Sequence, residues 1–160
     1  MNALILALGS NQGDREKNLL LSISELKKNF KFLEESRIYH SEAVDYTQQP
    51  SFYNQVLSFK KPSKNPQEVL EKILEVEKHL GRVRHIPRGP RTIDIDILFY
   101  GLRPVCEKNL QIPHPRLFER SFVVRPLSEL KVFKELEKSF KFPRHFEVEA
   151  YPLEKSPAQV

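Results

Sequence analysis

Apolar residues recur along the chain with two periods, and each stretch predicts an element. Ala3-Leu4-Ile5-Leu6-Ala7-Leu8 is a continuous apolar run closed by Gly9-Ser10-Asn11. Such a run predicts a strand buried on both faces. Gly9 and Gly13 frame the expected turn after it, and Asp14 is placed to cap a helix. Leu19, Ile23, Leu26 and Phe30 fall at i, i+4, i+7 and i+11, one stripe of that amphipathic helix. A second strand is expected within Phe32–Ser41, a polar loop over Glu42–Pro50, and a third strand over Phe52–Phe59. On the third strand Phe52, Asn54, Val56 and Ser58 share one face. Asn65-Pro66-Gln67-Glu68 signals a helix start, with an Asn cap, a Pro in the first turn and a Glu three residues on. Val69, Ile73, Val76 and Leu80 form its buried stripe, flanked by Leu70 and Leu74, and Gly81 stops it. Glu77 borders the apolar face, where an acid is by default solvated.

The stretch from Thr92 to Ile97 alternates without a break, so Ile93, Ile95 and Ile97 point one way and Thr92, Asp94 and Asp96 the other. The resulting order of strand, helix, strand, strand, helix, strand predicts an α+β fold, the ferredoxin-like βαββαβ sandwich with an antiparallel sheet. Beyond Gly101 the pattern predicts a short strand near Val105, a turn at Ile112-Pro113-His114-Pro115 and a helix over Arg116–Arg125 stopped by Pro126. A short helix at Phe133–Phe140 and a loose end from Pro152 complete the chain. One domain over residues 1–160 is expected, with 131–160 the poorly assigned part.

Charge changes the picture at the alternating strand. Two carboxylates at i and i+2 stand about 7 Å apart at Cα and repel by roughly 2 kcal/mol at an effective dielectric of 20. Open water or a cation relieves that repulsion. Arg82, Arg84, Arg88 and Arg91 crowd the approach to the strand. Acids beside arginines are the groups that bind metal-bridged phosphate. Solvated charges guarding a strand edge are the simpler alternative for any Asp-x-Asp pair. The Gly-rich turn at Asn11-Gln12-Gly13 lacks the Gly-Lys-Ser/Thr ending of a phosphate-binding loop. On residues alone, Phe52 belongs to the core more readily than to a stacking platform.

Composition narrows the class further. Lys and Arg outnumber Asp and Glu by 26 to 21, a net charge of +5 that suits an anionic partner. A lone cysteine, Cys106, allows no internal disulfide. The Ala3–Leu8 run is too short for a membrane span and lacks the flanks of a leader, so no membrane partner and a cytoplasmic location are expected.

The stretch Gly89-Pro90-Arg91-Thr92-Ile93-Asp94-Ile95-Asp96-Ile97-Leu98 resembles the signature of the 6-hydroxymethyl-7,8-dihydropterin pyrophosphokinases of folate biosynthesis. Ala7-Leu8-Gly9-Ser10-Asn11, Gln49-Pro50-Ser51-Phe52-Tyr53-Asn54, Glu77 with Gly81-Arg82-Val83-Arg84, and Ile112-Pro113-His114-Pro115-Arg116 with Glu119-Arg120-Ser121-Phe122-Val123 resemble further blocks of that family, in order. The resemblance implies transfer of pyrophosphate from ATP to the hydroxymethyl group of the reduced pterin, with AMP leaving. It implies two Mg2+ ions on Asp94 and Asp96, and catalytic roles for Arg82, Arg91, Asp94 and Asp96. ATP would meet Glu77, Arg82, Arg84, Arg91, Ile97, His114 and Arg120. The pterin would lie between Phe52 and Phe122, with Asn54 on its edge and the backbone near Val44 assisting. A monomer is the family's common form.

Two rivals remain on the residues. An RNA-recognition domain shares the fold and the basic charge, but its Lys/Arg-Gly-Phe-Gly-Phe pattern is missing and two aspartates would face the RNA backbone. A metal-dependent nuclease also uses paired acids with arginines. The nuclease gives no role to Phe52, Asn54 and Phe122, and no nucleic-acid partner is expected.

Overall fold

The computed structural model describes residues 1–41, 50–81 and 92–153. Strands β1 (Ala3–Ser10), β2 (Phe32–Glu35), β3 (Tyr39–Ser41), β4 (Phe52–Lys60), β5 (Asp94–Tyr100) and a terminal pair, Tyr151–Pro152, form one six-stranded sheet. Its path is β5-β1-β4-β3 and then Tyr151–Pro152, with β2 also on β4, and every pairing is antiparallel. The architecture is thus mixed α and β on an antiparallel sheet.

Helices α1 (Arg15–Asn29) and α2 (Pro66–His79) form where expected. Asp14 accepts the Lys17 N–H at 3.1 Å. Asn65 and Glu68 exchange bonds as a reciprocal capping box, at 3.0 and 3.1 Å. Their stripes (Leu19, Ile23, Leu26; Val69, Ile73, Val76) pack on Leu4, Leu6, Leu8, Leu57, Phe59, Ile93, Ile95 and Ile97, so one face of the sheet is sealed. The other face carries a second core around Ile5, Val56, Leu98 and Phe99.

The single second strand expected over Phe32–Ser41 is broken in two. Ser36 breaks it: its hydroxyl accepts the Val56 N–H at 3.0 Å and its carbonyl accepts Gln55 Nε2 at 2.7 Å. Side-chain bonds thus interrupt the regular ladder between β2 and β3, although the Ser36 N–H still donates to the Val56 carbonyl at 2.9 Å. The β5 alternation also has a limit. Ile5 pairs with Phe99 and Leu6 with Ile97, so Leu98 is an extra residue. This bulge turns both Leu98 and Phe99 into the second core.

After β5, β6 (Val105–Glu107) and β7 (Leu110–Ile112) form a small hairpin where only one strand was expected. The helix predicted over Arg116–Arg125 is instead a single 3-10 turn, Leu117–Glu119, followed by α3 (Ser121–Leu127). Arg120 takes an extended conformation that resets the chain, and its carbonyl accepts from both Val123 and Val124. Pro126 lies within α3 rather than ending it; the Ser128 N–H still reaches the Val124 carbonyl at 2.9 Å. The tail forms α4 (Phe133–Glu137), shorter than predicted, and then crosses the second core with Phe140, Phe142 and Phe146. It is not loose at Pro152: Tyr151–Pro152, which we label β8, pairs with β3, and the Leu153 N–H donates to the Ile38 carbonyl at 2.8 Å.

Candidate functional site

The face of the sheet turned away from α1 and α2 changes character along the strands. At one end it is apolar and covered. At the other, register sets Asp94 beside Gly9, Gly9 beside Asn54 and Asn54 beside Tyr39 in one row. Asp96 stands beside Ala7 and Ala7 beside Val56 in the next row. Both aspartates therefore share a face, partly exposed, while Ile93, Ile95 and Ile97 are buried on the opposite one.

Gly9 is inside β1 rather than in the turn, and among the described residues only Gly13, Gly81 and Gly101 take positive φ. Its lack of a side chain is therefore a matter of space. A Cβ there would lie 3.1 Å from Asn54 Oδ1 and 3.6 Å from Phe52 Cδ1. Gly9 thus leaves a floor between the Asn54 amide, the Phe52 ring and the Asp94 position. Asn54 is buried, and its Nδ2 bonds Ser41 Oγ on β3 at 2.9 Å. Phe52 is half-buried at the start of β4, neither a pure core residue nor a free one. The turn after β1 is held by amides: Asn18 Nδ2 donates to Ser10 Oγ at 3.1 Å and to the Gln12 carbonyl at 2.8 Å. Those contacts accord with turn chemistry rather than a phosphate loop.

His114 and Arg120 reach the same region from the segment before α3. Burial holds the His114 imidazole below its ordinary range; Arg120 and Arg116 push the same way, and Asp94 opposes them. Its Nδ1 accepts the Arg116 N–H at 3.3 Å. The ring is then neutral at pH 7, and its proton sits on Nε2 as a single donor. The Arg120 guanidinium lies 5.6 Å from the centroid of the Phe122 ring, a cation–π distance. Phe122, the second residue of α3, packs against the edge of the second core.

Glu77 overturns its expected place. It is 2% exposed rather than solvated, and its carboxylate accepts the Ile95 N–H at 2.8 Å. An acid thus ties the end of α2 to the outer edge of β5. The sequence signal was there in the position of Glu77 on the Leu70–Leu74 flank, yet Leu74 is itself 42% exposed, so the flank alone misleads. Ile97 is buried among the helix-side residues, which leaves its main chain as the part that can meet a ligand. Since the Ile95 N–H faces the outer edge of β5, the Ile97 N–H and C=O two residues on face it too. Val44, Arg82, Arg84 and Arg91 lie outside the described residues, as does Arg88.

The donor set can be matched to an ion. Among the described residues no cluster of three or more His, Cys, Asp or Glu is arranged to hold a metal. Asp94 and Asp96 instead offer two neighbouring carboxylates with hard oxygens. That suits Mg2+, which takes one or two carboxylates and fills its other positions with water and phosphate oxygens. It does not suit a closed zinc site.

The family model for 7,8-dihydro-6-hydroxymethylpterin-pyrophosphokinase (HPPK) matches residues 5–132. A 2-amino-4-hydroxy-6-hydroxymethyldihydropteridine pyrophosphokinase of Bacillus subtilis is 40% identical over 131 residues, covering 81% of this chain and 78% of the relative. The folic acid synthesis protein fol1 of Pneumocystis carinii is 43% identical over 129 residues, which cover 80% of this chain but only 17% of that longer protein. Among solved structures, an HPPK-DHPS of Plasmodium falciparum superposes with a TM-score of 0.62 at 16% identity, over 81% of this chain and 41% of that one. At that identity the likeness speaks for the fold alone. From the matched span and the bacterial relative, this chain belongs to the 7,8-dihydro-6-hydroxymethylpterin-pyrophosphokinase family.

Proposed function

We infer that the protein transfers pyrophosphate from ATP to the hydroxymethyl group of 6-hydroxymethyl-7,8-dihydropterin, a step of folate biosynthesis. The hydroxymethyl oxygen attacks the β-phosphorus and gives up its proton, the bond from that phosphorus to the α-phosphate oxygen breaks, and AMP leaves with the electron pair, one proton being released per turnover. The observation that carries this reading, beside family membership, is the shared face of Asp94, Gly9 and Asn54. Across that face an acid pair for phosphate chemistry adjoins an amide and an aromatic ring suited to a flat heterocycle.

In this reading Phe52 and Phe122 sandwich the pterin and Asn54 bonds its edge, with the backbone near Val44 assisting. Gly9 gives the ring room to lie flat. Arg82, Arg84, Arg91 and Arg120 neutralise the triphosphate, and Arg82 and Arg91 do so as charge spreads in the transition state. His114, uncharged, donates from Nε2 to a phosphate oxygen and fixes its orientation. Glu77 holds the β5 edge, and the Ile97 main chain meets the base of the nucleotide. Asp94 and Asp96 would hold two Mg2+ ions, which supply charge neutralisation and a lower pKa for the attacking alcohol. Phosphoryl transfer asks little else of a protein than positioning and neutralisation.

The ferredoxin-like topology is part of the same proposal. Counting β2 and β3 as one interrupted strand, the order β5-β1-β4-β2/β3 with α1 and α2 on one face follows the βαββαβ pattern. We take residues 1–160 to act as one pyrophosphokinase domain, a cytoplasmic monomer working on small-molecule substrates. Among the described residues no helix is long and apolar enough to cross a membrane.

The test is AMP formation in ATP, Mg2+ and 6-hydroxymethyl-7,8-dihydropterin. AMP that appears only with the pterin supports the reading. ATP hydrolysis indifferent to pterin, or tight RNA binding without AMP, overturns it.

A further inference from the structure

The segment after α4 lies beyond the span that the family model matches, which ends at residue 132. It nevertheless grips the helix that carries Phe122. Ser121 Oγ, at the first position of α3, donates to the Val148 carbonyl at 2.6 Å. One turn on, Arg125 forms a two-pronged pair with Glu149, Nε to Oε1 at 2.8 Å and Nη2 to Oε2 at 3.1 Å. The same guanidinium donates to the Arg144 carbonyl at 2.7 Å and lies 4.9 Å from the centroid of the Phe146 ring. The segment then leaves α3 and joins the other wall of the site. Tyr151 pairs with His40 and Pro152 with Tyr39 on β3, the strand whose Ser41 holds the Asn54 amide.

We propose that residues 144–153 act as a strap that positions the Phe122 wall of the site against the Asn54 wall, and so sets affinity for the pterin rather than for the nucleotide. The proposal rests on the reading of Phe122 and Asn54 as the pterin site. Its physical basis is that α3 is a seven-residue helix whose N-cap residue, Arg120, makes no capping bond from its side chain. So short a helix has little stability of its own and takes its place from tertiary contacts. The strap supplies those contacts at the first and fifth residues of α3, Ser121 and Arg125, on either side of Phe122. Ser121 and Glu149 are positioning residues here, acting through Phe122.

The experiment compares Ser121→Ala and Glu149→Gln with the parent, at a temperature where their circular dichroism superimposes. Each substitution removes one hydrogen-bonded tie, so the KM for 6-hydroxymethyl-7,8-dihydropterin should rise about three- to tenfold, while kcat and the KM for ATP stay within about twofold. Leu136→Ala, which opens a cavity in the same core without touching the strap ties, should lower the melting temperature and leave the ratio of the two KM values as in the parent. An unchanged pterin KM in both strap variants overturns the proposal. So does an equal rise in both KM values, the sign of general loosening. A parent that makes no pterin-dependent AMP removes the functional reading and the strap's role with it. That result is told apart from failure of the strap alone, in which the parent turns over and the variants match it.

Discussion

The two faces of the sheet are made by the same strands and obey different rules. On the face under α1 and α2, the inward positions of β1 from Leu4 to Leu8 and those of β5 are aliphatic or aromatic, and two capped helices cover them. On the opposite face the alternate residues of β1, β4 and β5 run from Ile5, Leu98 and Phe99 at one end, through the row of Val56, Ala7 and Asp96, to Asn54, Gly9 and Asp94 at the other. A strand with period 2 thus carries stability on one side and chemistry on the other, one residue apart. Substitutions on the two sides should therefore separate cleanly, and that separation can be attacked.

The largest effect is expected at the acids. Asp94→Asn or Asp96→Asn keeps the shape but removes a charge, and turnover should fall by roughly a hundred- to a thousandfold, the scale seen when one electrostatic group is lost from an active site. Melting temperature should hold, because both side chains are partly exposed and the core on the other face is untouched. Single-turnover AMP formation and a thermal melt read both quantities. A variant with parental turnover would strike that acid from the site. On the other face, Ile73→Ala removes a fully buried side chain from α2 and should cost about 2–5 kcal/mol of stability, measured by urea unfolding. Its KM values, taken where the chain is still folded, should match the parent. A selective rise in pterin KM there would erase the contrast between the faces.

How much of this could be read from the sequence follows the same division. The helix face was legible: stripes at helical spacing, an Asn-Pro-x-Glu start and three alternating isoleucines each specify their own burial. The pairing of Asp94 with Asp96 was legible for the same reason. What escaped depends on partners far along the chain. Ser36 breaks a strand because Val56 and Gln55 come to it from β4. Glu77 is buried because the Ile95 N–H needs an acceptor. Gly9 looked like a turn residue until register set it between Asp94 and Asn54. The tail offered only scattered phenylalanines, since its aromatic contacts (Phe118 with Phe142 at 5.2 Å, Phe99 with Phe140 at 5.3 Å) follow no local period.

Gly9 supplies a finer test of the contrast, because one added methyl group there concerns only the far face. In Gly9→Ala the new Cβ presses on the Asn54 amide oxygen at 3.1 Å. The backbone can accept an alanine, so folding should be little affected. Pterin KM should rise about tenfold, or ~1.4 kcal/mol, with the ATP KM within about twofold. Equal KM values in parent and variant would mean that no ring lies over this floor.

The smallest expected effect lies where β3 meets the end of α3. Burial pushes the Tyr39 phenol up to about 12, and the bond it donates to Glu129 adds to that shift. For Glu129 burial alone pushes the carboxyl up, but bonds from Arg37 and Tyr39 outweigh it and hold it below the ordinary glutamate range. The signs follow. A raised tyrosine contributes stability that is complete below pH 10 and is lost as pH climbs towards 12. A depressed glutamate contributes stability that is complete above its ordinary pKa near 4.5 and is lost as pH falls through the lower folded value. Tyr39→Phe should therefore flatten the parent's alkaline loss between pH 10 and 12, and Glu129→Gln the acid loss below pH 4.5. Each difference should be a few degrees in melting temperature, about 2–4 °C per kcal/mol in a chain of this size. Because Tyr39 pairs with Asn54 across the strands, the same variants also probe the far face. If Tyr39→Phe moves pterin KM without moving the melt, the Tyr39–Glu129 tie serves the site; if it moves the melt alone, its work is confined to the fold.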